Sequence, residues 1–123
     1  MPVRIRAKLK FRGTVTPPSL NAETDIISLQ TQSNDYIIEG FISLRNIESD
    51  DVVTIREYIA VDGVNSDLSD EVTVSGVLHI PVVRVPAMTL PNDANFKITI
   101  TQTTGTIVKS FPYVFIVQIL EEI

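Results

Sequence analysis

A strict alternation of basic and apolar residues between positions 3 and 12 constrains the fold more than any other feature of this chain. The apolar positions are Val3, Ile5, Ala7, Leu9 and Phe11, and the positions that follow them are Arg4, Arg6, Lys8, Lys10 and Arg12. Only a β-strand turns a period of two into two separate faces. We therefore predict a first strand with one apolar face and one face that carries five positive charges.

The same period of two continues along the chain. Alternating or continuous apolar residues predict seven further strands near residues 25–31, 36–47, 52–60, 71–80, 82–90, 96–103 and 106–121. The strand at 36–47 keeps its apolar residues on one face if Gly40 holds a bulge or a close contact. Pro81, Pro86 and Pro91 restrict residues 82–90 to the edge of a sheet, because proline cannot donate to a central ladder.

The fold class follows from this pattern and from the absence of a helical one. No segment has sustained apolar residues at a period of 3.6, and β-branched residues are abundant. The sequence predicts an all-β chain folded as a single antiparallel β-sandwich, immunoglobulin-like or jelly-roll, with about seven to eight strands and little helix. Its 123 residues fit one domain. Within it, residues 1–20 form a basic strand and a Pro17-Pro18 connection that would let the strand pair with a neighbouring subunit.

Charge divides the chain into two unequal parts. Residues 1–12 hold five of the ten basic residues and no acid, whereas residues 13–123 hold five basic against fifteen acidic residues, a net charge of −10. The basic strand could contact nucleic acid, form a solvated face or serve as an assembly strand along an acidic protein surface. The acidic remainder and the lack of aromatic residues among the cations disfavour nucleic acid. The other two interpretations stay open.

Signatures of catalysis are missing from the sequence. The absence of cysteine excludes disulfides, thiolate metal sites and cysteine nucleophiles. The lone histidine, His79, is expected on the polar face of a strand, and no serine lies in a nucleophile-elbow motif. We therefore expect no enzymatic activity, no catalytic residue, no cofactor and no small-molecule substrate. No segment reads as a signal peptide or a membrane span, so the expected location is a virion or a cytoplasm.

Two acidic segments deserve comparison with known kinds of site. Residues 62–71 contain the weak candidate metal ligands Asp62, Asn65, Asp67 and Asp70. Their spacing does not match an EF-hand, and we interpret the segment as a solvated hairpin loop that bonds its own backbone. The cluster at 48–51 is interpreted in the same way, as a solvated acidic turn. Both segments are candidate anionic partners for the basic strand of another copy.

The last strand has a second face that needs a partner. Residues 113–117 are continuously apolar, as in a strand buried on both faces. We therefore add Val114, Ile116 and the terminal Ile123 to the candidate interaction residues, which also include the five cations of the first strand.

One set of strand segments comprises residues 36–44, 53–63 and 96–106, with Phe111-Pro112-Tyr113. Together these segments resemble small β-sandwich proteins of archaeal and bacterial viruses that decorate or build virion shells. The resemblance implies a virion structural or decoration protein that self-associates or docks on a shell, and it transfers no active-site residues. The alternative is a ligand-binding module for glycans or a receptor. Such a module would expose Tyr36, Tyr58 or Tyr113 on a concave face.

Overall fold

The computed structural model describes residues 2–123, which form eight β-strands and contain no helix. The strands are β1 (Val3–Val15), β2 (Thr24–Leu29), β3 (Tyr36–Ser43), β4 (Val52–Ile59), β5 (Asp67–Ser75), β6 (Val82–Leu90), β7 (Phe96–Thr104) and β8 (Phe111–Glu122). Residues 2–123 include no helix that is long and apolar enough to span a membrane.

The strands form two four-stranded antiparallel sheets. Sheet A has the order β1-β8-β3-β6 and sheet B the order β2-β7-β4-β5. The chain changes sheet at every connection except the β4–β5 hairpin, which gives the strand order of an eight-stranded jelly roll. The predicted β-sandwich is confirmed, and the choice between the two topologies falls on the jelly roll.

The core consists of apolar side chains from the facing sides of both sheets. Its largest fully buried side chains include Tyr36, Ile38, Ile42, Phe96, Phe111 and Phe115. Burying one such aliphatic or aromatic side chain contributes roughly 1.5–3 kcal/mol. Gly40 is the close contact that the sequence required, since a Cβ there would overlap the ring of Phe115, and the β3–β6 register shifts beside it.

Three predicted strands have boundaries that are wrong by four residues or more. The third strand ends at Ser43 and not at residue 47, because the chain turns there and the Ile47 N–H donates to the Leu44 carbonyl. The fifth strand begins at Asp67 and ends at Ser75, because the turn at Asp62 returns the chain directly into a hairpin with β4. His79 therefore lies exposed in the β5–β6 connection and not on a strand. The last strand begins at Phe111 and not near residue 106. The connection before it is held by Gln102, whose amide donates to the Ile107 carbonyl at 3.0 Å.

Candidate assembly surface

The register between β1 and β8 decides which way the cations of β1 point. Residues opposite one another in an antiparallel pair lie on the same face of the sheet. The pairs that carry cations are Arg4 with Glu121, Lys8 with Gln118, Lys10 with Ile116 and Arg12 with Val114. Between Ile5 and Ala7 the register shifts by one residue, which leaves Arg6 in a bulge. The bulge moves Arg4 to the face opposite that of the three later cations.

The prediction of one face with five charges is therefore wrong. Arg4 donates from Nε to Glu121 at 2.7 Å, and Arg6 donates from Nη2 to the Ser33 hydroxyl at 2.8 Å. Both side chains have partners within their own chain. Lys8, Lys10 and Arg12 remain on the outer face of sheet A, and we call these three residues the basic row.

The basic row is exposed and has no ion pair among the residues that the structure describes. Its members alternate along a strand, so neighbouring charges lie about 7 Å apart. At that distance two unit charges repel by about 0.6 kcal/mol in water, and by more when a partner excludes the water. A surface that covers the basic row without carboxylates would therefore bind poorly, whereas an acidic surface would relieve the repulsion.

An apolar strip lies beside the basic row. Val114 and Ile116 are half-buried on the outer face of β8, and Phe41 of β3, opposite Val114, is 43% exposed. Their neighbours Phe115 and Val117 point into the core and are fully buried. The sequence predicted that both faces of β8 are buried. The core-facing side is buried, whereas no other part of the described chain packs on the outer side.

Ile123 does not belong to this strip. It follows the end of β8, where it is exposed and its backbone N–H donates to the Pro2 carbonyl at 3.0 Å. Nine residues of extended chain separate it from Val114, roughly 30 Å. The structure therefore brings Val114 and Ile116 together with Lys10 and Arg12, but it leaves Ile123 apart.

The free side of β1 is the second feature of this surface. β1 pairs with β8 on one side only and forms an edge of sheet A, so its other side presents unpaired backbone groups. Its core-facing phase is also incompletely covered, with Leu9 42% and Phe11 36% exposed. The reason is length, because β1 has 13 residues and β2, at the same edge of the other sheet, has six.

The acidic segment at 62–71 is only partly the loop that the sequence predicted, because its residues from 67 onward belong to β5. Oδ1 of Asp62 accepts from the backbone N–H groups of Val64 and Asn65 at 2.9 and 2.7 Å, and Oδ2 accepts from the Asn65 amide. These bonds, led by that of the Asn65 backbone, hold the pKa of Asp62 below its usual range. Asp67 and Asp70 lie on β5. Across residues 2–123, no three His, Asp or Glu side chains converge in a way that could hold a metal ion.

The cluster at 48–51 is not a solvated turn, because Asp51 has no exposed surface. Its carboxylate accepts from the Glu48 backbone at 2.7 Å and from the Gln102 amide at 3.2 Å, and it lies 3.2 Å from Nζ of Lys109. Nothing in the local sequence distinguishes this aspartate from its exposed neighbour Asp50. The segment therefore supplies an internal structural group and is a poor partner for another copy's basic row.

The tyrosines do not form a binding platform. Tyr36 is fully buried and donates its hydroxyl to the Ala94 carbonyl at 2.6 Å, and burial raises its pKa to about 12. Tyr58 belongs to sheet B, where it donates to Glu23 and lies under the ammonium group of Lys97. Tyr113 belongs to sheet A and packs at a tilt against Phe115. The three rings thus occupy separate parts of the sandwich.

Taken together, the fold and this surface define a jelly-roll domain with an uncovered, basic edge strand. No family model and no curated protein matches the chain. A solved structure from Bacillus endospore appendages, described as a novel family of disulfide-linked pili, is similar over 92% of this chain and 86% of its own, with a TM-score of 0.59 and 15% identity. The present chain has no cysteine with which to form such links.

A second similar structure is the VP2 subviral particle of infectious bursal disease virus. It matches 95% of this chain but 33% of its own, with a TM-score of 0.50 and 12% identity. The Gx strain of the same virus gives a TM-score of 0.49 at 10% identity, over 98% of this chain and 32% of its own. At 15% and 12% identity, the likenesses to the pilus and to the subviral particle establish the fold alone. Neither source is a virus of archaea or bacteria, so the narrower part of the sequence resemblance finds no support.

Proposed function

We propose that this protein is a non-enzymatic structural protein that associates with copies of itself or docks on a larger protein shell. The observation that carries the proposal is the uncovered outer face of sheet A, where the basic row lies beside the apolar residues Val114 and Ile116. An apolar strip with flanking charges that have no partner is typical of a protein interface. The similar structures, a pilus and a subviral particle, are assemblies and agree with the proposal.

The finer proposal is that the assembly is a virion, in which the protein is a structural or decoration component. The likeness to a viral subviral particle supports a shell as the setting. The ligand-binding alternative loses its support from the tyrosines, because Tyr36 is buried and Tyr58 is bonded within the chain.

Solution mass tests the proposal directly. Light scattering well above micromolar concentration should give an oligomer at low salt and a smaller species at high salt, because exposed charges are screened over about 8–10 Å near physiological ionic strength. The triple variant Lys8→Ser, Lys10→Ser, Arg12→Ser should form a smaller species than wild type at low salt. The control is a second triple variant, Arg4→Ser, Arg6→Ser, Arg45→Ser, which removes the same charge but leaves the basic row intact. The control should keep the solution mass of wild type.

A strict monomer under both salt conditions would overturn self-association. The virion setting has its own test, which is to sediment particles from a lysate of the source organism and to search them for this protein by mass spectrometry. Enrichment in a particle fraction, at a fixed ratio to the main shell protein, is the expected result. Recovery only from the unsedimented fraction would contradict the virion proposal.

A further inference from the structure

β5 forms the counterpart of β1 on sheet B. It is an edge strand, and all of its residues except Val74 are exposed. Its charges are Asp67, Asp70 and Glu71, with no basic residue. Leu68 is 52% exposed, so β5, like β1, presents apolar surface to solvent along with unpaired backbone groups.

The two edges lie on opposite sides of the sandwich. β1 is the edge of sheet A that packs next to β2, and the strand orders then place β6 next to β5 at the other side. A crevice between β5 and β6, lined by Val72 and Val83 among others, opens at that side. Each copy can therefore bind one neighbour through β1 and another neighbour through β5, because the two strands lie at different sides.

The carboxylates of β5 are divided between its two faces. Glu71 lies opposite Arg56 on the outer face of sheet B and pairs with it at 2.7 Å. Asp67 and Asp70 lie opposite Ile59 and Glu57, on the phase that faces the core. Neither has an ion pair anywhere in the part of the chain that the structure describes.

The spacing of these two carboxylates matches that of the basic row. A bulge at Ser69 leaves Asp67 and Asp70 opposite residues of β4 that are two positions apart, so they lie about 7 Å from one another along the strand. The basic row repeats at the same interval. Leu68 points to the other face of β5, just as Leu9 and Phe11 point to the other face of β1.

The remaining edges offer no such match. β2 has six residues and a single acid, the exposed Asp25, so it lacks a second carboxylate at the spacing of the basic row, and the nearby Glu23 is already bonded to Tyr58 and Thr99. β6 carries the cation Arg84 and includes Pro86, which lacks a backbone donor. β5 is therefore the edge strand whose free charges complement those of β1.

We propose that β1 of one copy pairs edge to edge with β5 of the next copy, with the basic row beside Asp67 and Asp70. This inference rests on the proposed self-association and names its partner strand. Sheet A of one copy then continues into sheet B of the next, and Leu9 and Phe11 lie beside Leu68 on the opposite face. Because the two contacting strands differ, the interface is heterologous, and repetition produces an open filament or a closed ring.

Charge reversal tests the pairing. Two double variants are made, Lys8→Glu with Lys10→Glu on β1 and Asp67→Lys with Asp70→Lys on β5. Each variant should lower the association constant by about 100-fold at low salt, because like charges then face one another. All four changes in one chain should restore assembly. Asp25→Lys with Glu122→Lys is the matched control. It reverses two exposed acids that lie on the β1 side of the sandwich and not on β5, so it should assemble at least as well as wild type.

Cross-linking of the unaltered chain gives a second readout that does not depend on variants. A carbodiimide joins lysine amines to carboxylates in contact, and a mixture of isotope-labelled and unlabelled protein separates links between chains from links within one. We expect Lys8 and Lys10 linked to Asp67 and Asp70 of another chain. Lys109, whose Nζ lies 3.2 Å from the exposed carboxylate of Glu48, provides the internal link that confirms the chemistry.

The outcomes separate the two proposals. The protein could assemble although charge reversal on β5 has no effect and the interchain links avoid Asp67 and Asp70. That result overturns the β1–β5 pairing but leaves self-association standing. A wild-type protein that is monomeric and gives only internal links overturns both.

Discussion

Nζ of Lys109 lies 3.2 Å from Oδ2 of Asp51, a carboxylate that has no exposed surface. Gln102 completes the cluster, since its amide donates to Asp51 and its Oε1 accepts from the Lys109 backbone at 2.8 Å. Gly105 lies so close that a Cβ there would contact both Asp51 and Gln102. This cluster ties the β7–β8 connection to the turn before β4 and closes one end of the sandwich.

Replacing Asp51 by Asn should destabilise the fold strongly. Either amide orientation places an NH₂ group where the carboxylate now accepts hydrogen bonds, and Lys109 loses its buried partner. We expect the free energy of unfolding to fall by about 3 kcal/mol, measured by urea titration and circular dichroism. Asp50→Asn, which affects an exposed acid bonded to Thr106, should lower the free energy of unfolding far less. Equal effects at the two positions would contradict a structural role for burial at Asp51.

Gly40→Ala should disrupt the packing of sheet A. The added methyl group would overlap Phe115, a fully buried ring that cannot move into solvent. Such overpacking costs typically about 1–3 kcal/mol. Gly76→Ala provides the comparison, because its backbone has φ +74 but no atom within 4 Å of the added methyl group, so the cost there is backbone strain of about 1 kcal/mol. A smaller effect at Gly40 than at Gly76 would show that the ring yields easily.

The stability contributed by Glu23 should depend on pH. Hydrogen bonds from Thr99 and then Tyr58, with the nearby Arg56 and Lys97, hold the pKa of Glu23 below its usual value. A depressed folded-state pKa stabilises the protein above the unfolded-state pKa, and the gain is lost as the pH falls through the folded-state pKa. The urea midpoint of wild type should therefore exceed that of Glu23→Gln near pH 7, and the gap should close below about pH 4.

Thr99→Val removes the largest cause of that shift. In the Thr99→Val background, the difference in urea midpoint between the protein with Glu23 and its Glu23→Gln variant should be smaller and should vary less with pH. A gap of constant size from neutral to acid pH would show that Glu23 acts through packing and not through its charge.

Tyr36 should make the protein sensitive to alkali. Burial raises its pKa to about 12, so the unfolded chain releases the phenolic proton first as the pH rises above about 10. Stability is fully present below that pH and decreases between the two values. Tyr36→Phe should unfold more easily at neutral pH by about 1 kcal/mol, because the Ala94 carbonyl loses its donor, yet its stability should decrease less between pH 10 and 12. Parallel curves for the two proteins would contradict this assignment.

Much of the architecture could be predicted because it depends on local alternation. A period of two in β-branched and aromatic residues predicts strands and their faces without knowledge of their partners. The requirement at Gly40 was also local, since one small residue interrupts an otherwise bulky strand. The boundaries of β5 were missed because its exposed, acidic residues look like a loop until β4 pairs with them.

The site shows the limit of the same reasoning. The sequence named Val114, Ile116, Lys10 and Arg12 as candidate interaction residues, but whether these residues lie next to one another depends on the β1–β8 register. The burial of Asp51 could not be predicted, because the groups that bind it come from Lys109 and Gln102, more than fifty residues away. Long-range contacts of this kind leave no local pattern.

For the first strand, sequence alone determined that it is extended, basic and apolar in alternation, because side-chain period follows from backbone geometry. Only the tertiary structure decided that a bulge at Arg6 divides the cations, that Arg4 and Arg6 are bonded within the chain, and that Lys8, Lys10 and Arg12 share a face with Val114 and Ile116. The physical reason is register: a shift of one residue reverses the face of every side chain beyond it, and hydrogen bonding to a strand a hundred residues away sets that shift.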